Sequence, residues 1–168
     1  NSYLTFPDNS RILDIGIGTG YSVIKNIDII KQKNLKITGI DIDQNYINQC
    51  LYYIEKYNAE DYINVICSDI YKSKEIYWYE PFDIILFSDS FAVIPNIYSM
   101  LKFCEKFLKK NGSIIIISAL YYKYSLWKDW IKQHIVYFTS IDFGRLMTFN
   151  KLNSFINKNN YKSSSQII

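Results

Sequence analysis

Arginine is nearly missing from this 168-residue chain: of 19 basic residues, only Arg11 and Arg145 are arginine. With a net charge of +3 and lysines scattered over several segments, the sequence has no basic stripe, which argues against strong electrostatic binding to DNA or RNA. The densest group, Lys102, Lys106, Lys109 and Lys110, falls at helical spacing near an expected helix end and reads as a solvated face. Histidine occurs once, at His134, so neither a histidine-built metal site nor a Ser, His and Asp relay can be argued, and no other cluster has metal-ligand spacing. Cysteine is limited to Cys50, Cys67 and Cys104, an odd and widely spaced set in otherwise apolar segments that reads as small buried hydrophobes in a reducing compartment. No apolar run approaches the roughly 18 residues that span a bilayer, and the N-terminus lacks the features of a signal peptide. No membrane association is expected, and the cytoplasm is the expected compartment.

What is present is a globular composition, 49% hydrophobic and 21% charged, at a length suited to one domain over residues 1–168. The chain begins at Asn1 without a methionine, so a trimmed or truncated domain is expected. The abundance of Ile, Asn, Lys and Tyr matches AT-rich codon usage, which reduces the functional weight of the Tyr-rich stretches. The sequence does not specify an oligomeric state.

Periodicity gives short apolar strands alternating with amphipathic helices. The expected strands are 11–15, 36–40, 63–67, 82–87 and 113–118; the expected helices are 21–31, 44–57 with Asp43 as N-cap, and 96–109. Asn111 and Gly112 read as the turn that stops the last of these helices. The strands are continuous Ile-rich runs rather than alternating patterns, the mark of a parallel sheet covered on both faces, so the expected fold is doubly wound α/β. Beyond lie an aromatic segment, 119–140, with Tyr121, Trp127 and Trp130, then a helix capped by Thr148 and a possible sixth strand at 163–168.

In such sheets ligands bind beyond the carboxyl ends of the strands, where strand order reverses. After the first strand comes Asp14-Ile15-Gly16-Ile17-Gly18-Thr19-Gly20, a glycine turn opening a helix. Asp41 follows the second strand, about 20 residues beyond the glycines, at a distance suited to ribose hydroxyls. Asp69 follows the third strand and Asp89 the fourth. A dinucleotide site remains an alternative, but its third small position is here Tyr21, and carboxylates after four successive strands would repel a pyrophosphate.

The segments Arg11 to Gly20 and Ile37 to Asp43 resemble the first and second motifs of the class I S-adenosylmethionine-dependent methyltransferases, a resemblance that runs to Ile168. It implies a Rossmann-like, mostly parallel sheet and S-adenosyl-L-methionine as cofactor. By the resemblance, Asp14 and the backbone of Gly16, Ile17, Gly18, Thr19 and Gly20 hold the methionine end, Asp41 binds the ribose and Ile42 packs on adenine. Cys67 to Ile70 resembles the third motif, with Asp69 accepting from the adenine amine and Ile70 packing on the ring. Phe82 to Ser90 resembles the fourth, with Ser88 near the reacting end and Asp89 facing the substrate. The family usually ends in an antiparallel seventh strand, for which no residues remain here, so that strand is expected to be missing. The fourth motif also lacks the Asn-Pro-Pro-aromatic sequence of the family's amino-methylating enzymes of nucleic acids and some proteins, and the Pro-Cys nucleophile of its cytosine-ring enzymes, so the resemblance points away from those two substrate classes.

Blander readings stand beside these. Asp14, Asp41 and Asp69 could be caps or turn formers, Asp43 reads as a cap and Asp83 as the start of a strand. His134 and Asp89 are weak candidates for a general base, and Arg145 for an anion contact, so no catalytic residue is assigned. The expected activity is methyl transfer to an oxygen or nitrogen nucleophile of a small molecule, with the protein supplying alignment and water exclusion. Two rivals remain: a non-catalytic binding or scaffold domain, and a nicotinamide-dependent oxidoreductase.

Overall fold

The computed structural model describes residues 2–117 except 92 and 95; beyond Ile117 only Ser154 and Asn157 are described, both helical. The chain divides into two compact units, residues 1–91 with 95–117, and residues 92–94 with 118–168; the sheet belongs to the first. The expected aromatic segment, His134, Arg145, the sixth strand and most of the helix after Thr148 lie outside the described residues.

The strands are β1 (Arg11–Ile15), β2 (Lys36–Asp41), β3 (Ile63–Cys67), β4 (Phe82–Ser88) and β5 (Leu108–Ile117). The helices are α1 (Tyr21–Ile24), α2 (Ile27–Gln32), α3 (Gln44–Lys56) and α4 (Ile97–Cys104). All pairings are parallel, in the order β3-β2-β1-β4-β5. The chain moves outward from β1 through β2 to β3, then returns to the other side of β1 for β4 and β5. Strand order therefore reverses between β1 and β4, which opens a crevice at their carboxyl ends.

Side-chain alternation divides the core between two faces. Ile12, Ile37, Ile84 and Leu86 join Val23, Ile27 and Ile30 of α1 and α2 and Ile47, Cys50 and Ile54 of α3 in one apolar cluster. Leu13, Ile40, Ile85 and Phe87 point the other way and are also buried. Right-handed crossovers running in opposite directions along the sheet place α4, with its buried Met100, Leu101 and Cys104, on that second face. Burial on both faces is why the central strands read as unbroken apolar runs. No helix among the described residues is long and apolar enough to cross a membrane.

The structure corrects four local expectations. The helix over 21–31 is two helices, because the Asn26 amide donates to the Ser22 carbonyl at 2.7 Å and its backbone N–H turns tightly onto Val23. The helix over 96–109 ends at Cys104, passes through a 3-10 turn at Glu105–Phe107 and enters β5 five residues before the expected strand start. Asn111 and Gly112 therefore lie inside the ladder: between the pairs Phe82 with Leu108 and Ile84 with Ser113, β5 fits residues 109–112 against Asp83 alone. A Cβ at Gly112 would stand 2.9 Å from the Asp83 carbonyl, so the bulge needs glycine. Finally, Cys67 is exposed at the end of edge strand β3, whereas Cys50 and Cys104 are buried.

Asp83 does more than begin a strand. It accepts the Arg11 backbone N–H at 2.9 Å and the Lys109 ammonium at 2.9 Å, which ties β1, β4 and β5 together at the end of the sheet opposite the crevice. Burial opposes its charge, but the Arg11 N–H and the Lys109 ammonium outweigh it and hold the carboxyl below its ordinary range. Lys109 and Lys110 thus belong to a strand, not to a helical cationic face.

Candidate functional site

The turn after β1 is built from three glycines in left-handed backbone: Gly16 at φ 77°, Gly18 at 59° and Gly20 at 69°. Two of them are also hemmed in. A Cβ at Gly16 would lie 2.5 Å from that of Ser90, and one at Gly20 would collide with the Cys50 sulfur of α3. The turn is stitched to β2 by the N–H groups of Gly16 and Ile17, both donating to the Ile40 carbonyl, at 2.8 and 3.3 Å. It is joined to the loop after β4 by the Ser90 hydroxyl, which donates to the Ile15 carbonyl.

Gly18 differs from its neighbours, since nothing lies within 4 Å of where its Cβ would be. Its N–H donates to Asp41 Oδ2 at 2.8 Å, while Asp41 Oδ1 accepts the Asp43 N–H at 3.0 Å. Asp41 therefore holds the glycine turn and the start of the next loop in one place, with a lone pair of each oxygen still available. Beside it Ile42 is 74% exposed, an apolar side chain with little protein against it. Asp43 caps α3 as expected, accepting the Asn45 N–H at 2.8 Å.

The remaining expected site residues are placed as follows. The Ile17 side chain points inward over Gly39, so only its backbone serves the turn, and Thr19 is half-buried. Asp69 Oδ1 accepts the Tyr71 N–H at 3.0 Å and its carbonyl accepts from Lys72 and Ser73, a turn-forming arrangement. Asp69 Oδ2 also pairs with Lys72 at 3.5 Å. Ile70 is buried in the protein. The Ser68 N–H donates to the Asp41 carbonyl at 2.9 Å, bringing the loops after β2 and β3 together. Ser88 is half-buried and lines an open groove of about 430 Å³ together with Tyr3, Ser22, Lys25, Leu86 and Ile117. Asp89 is exposed, in left-handed backbone at φ 58°, with its N–H donating to the Ile117 carbonyl at 2.8 Å.

Asp14 has the most unusual surroundings. It is 1% exposed, and among the described residues neither carboxylate oxygen has a hydrogen-bond partner. Burial pushes its carboxyl up to about 7, with the Asp41 charge adding to the effect. Asp14 in turn raises the Tyr3 hydroxyl, whose first cause is its own burial, and burial followed by the Asp14 and Asp41 charges pushes the Cys50 thiol up to about 11.

Sequence reasoning missed Tyr3, Ser90 and Gly39. Only Gly39 left a signal, a glycine inside an apolar strand, which marks close backbone approach; a Cβ there would meet the Ile17 side chain.

The arrangement suits a ligand with a cation over the glycine turn, hydroxyls toward Asp41 and a flat apolar ring beside Ile42. A buried carboxylate below the turn, with no counter-charge among the described residues, is a poor place for a pyrophosphate.

Residues 7–155 match a family model described as a methyltransferase domain. The chain is 23% identical over 117 residues to carboxy-S-adenosyl-L-methionine synthase of Pasteurella multocida, a match covering 68% of this chain and 47% of that protein. It is similar in fold to the crystal structure of a SAM-dependent methyltransferase from Geobacter sulfurreducens in complex with S-adenosyl-L-homocysteine, with TM-score 0.71, 15% identity and coverage of 99% of this chain and 63% of that one. A SAM-dependent methyltransferase from Thiobacillus denitrificans, also in complex with S-adenosyl-L-homocysteine, gives TM-score 0.69, 15% identity and the same coverages. The chain thus spans about half the length of the curated relative.

Proposed function

The chain belongs to this methyltransferase domain family, and we propose that it binds S-adenosylmethionine on the turn after β1 and moves its methyl group to an oxygen or nitrogen nucleophile of a small molecule. The observation that carries the reading is the unpartnered Asp14 carboxylate beneath a left-handed glycine turn that is open at Gly18. A buried anion with no protein cation favours a ligand that brings its own positive charge. In this reading Asp14 and the backbone of residues 16–20 hold the methionine end, Asp41 takes the ribose hydroxyls and Ile42 covers one face of adenine. Asp69 and Ile70 border the other side of the ring.

The bound cofactor supplies a methyl group already activated by the sulfonium. The chain's part is alignment: the Ser90 bond to Ile15 and the Asp41 bond to Gly18 fix the turn relative to β4 and β2. We place the acceptor beside Ser88, which lines an open groove with Ser22, Lys25 and Ile117 at the carboxyl ends of the strands. The single-domain organisation over residues 1–168 and the absence of a nucleic-acid partner are part of the same proposal.

Calorimetric titration with S-adenosylhomocysteine, with Asp41→Ala and NAD as controls, tests the site. Binding that is lost in the variant, without NAD binding, is expected; NAD binding alone would favour an oxidoreductase. Incubation with labelled methyl donor and candidate acceptors then tests transfer. Binding without turnover would favour a scaffold role, and mass analysis of products would separate methyl transfer from alteration of the cofactor itself.

A further inference from the structure

We infer that Asp14, buried without a partner, carries its proton in the ligand-free protein and releases it to solvent when the ammonium-bearing methionine end of the ligand settles on the glycine turn. This rests on the cofactor reading above and adds a proton linkage to it.

The geometry comes first. Asp14 is the penultimate residue of β1, on the face that carries α1 to α3, and both of its oxygens are shut off from solvent without a hydrogen bond among the described residues. The titratable groups whose charges couple to it are Tyr3 from a 3-10 turn at Ser2–Thr5, Asp41 from β2 and Cys50 from α3. Each is neutral or negative, and none of the described ion pairs includes Asp14. The elements flanking the turn add Tyr21 and Lys25 on α1 and Asp89 after β4, all exposed to solvent. A carboxyl so placed keeps its proton far longer than an ordinary aspartate, and burial with the Asp41 charge puts its midpoint at about 7.

A ligand cation arriving over Gly16 to Gly18 changes that balance, because it stabilises only the ionised form. The O–H bond of the Asp14 carboxyl breaks, the proton passes to buffer, and the carboxylate remains as counter-charge to the ammonium. Apparent affinity should then rise about tenfold from pH 6 to a plateau above neutrality, with close to one proton released per ligand at pH 6 and about half of one near pH 7. A ligand without the ammonium, such as methylthioadenosine, should show neither effect.

The test is titration calorimetry of the full chain with S-adenosylhomocysteine between pH 5.5 and 7.5, in two buffers of different ionisation enthalpy, so that the proton count follows from the difference in heat. Asp14→Asn should bind more weakly, with an affinity that no longer varies with pH and no proton release. His134 is the only histidine in the sequence and ordinarily titrates in the same window. His134→Gln should keep the linkage. A proton count near zero in the unaltered protein, or one abolished by His134→Gln, overturns the inference even if Asp14→Asn fails to fold. Failure to bind at every pH would instead reject the cofactor reading beneath it.

Discussion

Replacing Asp14 with asparagine should make the ligand-free protein more stable at pH 8 and leave it no more stable at pH 4. The folded carboxyl, at about 7, sits above the ordinary aspartate value of 3.8. The native state therefore binds the proton more tightly than the unfolded chain does. Stability from this group is fully present below pH 3.8, falls as pH rises from there to 7, and is flat above. The difference is about 3 units, which at 1.36 kcal/mol per unit corresponds to about 4 kcal/mol lost across the window. Asparagine carries no charge at any of these pH values, but its buried amide also lacks partners, at about 1 to 3 kcal/mol. The net gain for Asp14→Asn at pH 8 is then about 1 to 3 kcal/mol. Urea unfolding followed by tryptophan fluorescence, repeated from pH 4 to 8, gives the difference in stability between the two proteins at each pH. Subtraction removes the carboxylates common to both, including Asp83, whose lowered carboxyl acts in the opposite direction at more acid pH. A difference curve flat from pH 4 to 8, or one in which the variant loses ground as pH rises, would refute the assignment of a buried, unpaired carboxyl to position 14.

Two further outcomes follow from the same geometry. Gly16→Ala should destabilise by about 2 kcal/mol or more, because a left-handed backbone and a 2.5 Å approach to Ser90 act together, whereas Gly18→Ala carries the backbone strain alone, of order 1 kcal/mol. Gly18→Ala should nonetheless weaken S-adenosylhomocysteine binding, since its methyl group would enter the open space that the proposed reading gives to the ligand; thermal melts and calorimetry on both variants check the pair. Of the three cysteines, Cys67 should react with Ellman's reagent within the mixing time at pH 8, while Cys50, pushed up to about 11, and Cys104, pushed up to about 12, should react only on unfolding.

The fold was legible because burial on both faces of a parallel sheet leaves an unmistakable trace, runs such as Ile12 to Ile15 and Ile84 to Phe87 with no polar alternation except Asp14. The placement rule for parallel sheets then gathers the acids at the carboxyl ends of β1, β2, β3 and β4 along one edge. Local punctuation was less legible. Asn111-Gly112 carries a strong turn signal, yet the sheet absorbs it as a bulge because Lys109 reaches Asp83 and Gly112 tolerates the crowding. Asn26 looks like an ordinary helix residue until its amide finds the Ser22 carbonyl. Contacts made across long stretches of chain left no signal: Ser90 lies 75 residues from the Ile15 carbonyl it holds, and Tyr3 meets Asp14 only through the fold.

The two acids nearest the glycine turn show how one residue type serves two ends. Asp41 has both oxygens engaged by backbone N–H groups, so it gives the turn its shape with or without a ligand. Asp14 stands beside Gly39 and Leu86 in the ladder, and among the described residues neither of its carboxylate oxygens receives a hydrogen bond. If Asp14 served only the fold, an apolar side chain like those of Ile12 and Leu13 in the same strand would pack there without the charge. A carboxylate left without a partner under three left-handed glycines is therefore better explained by what lands on the turn than by what lies beneath it, because a bound cation is the element that converts its burial from a loss of stability into binding energy.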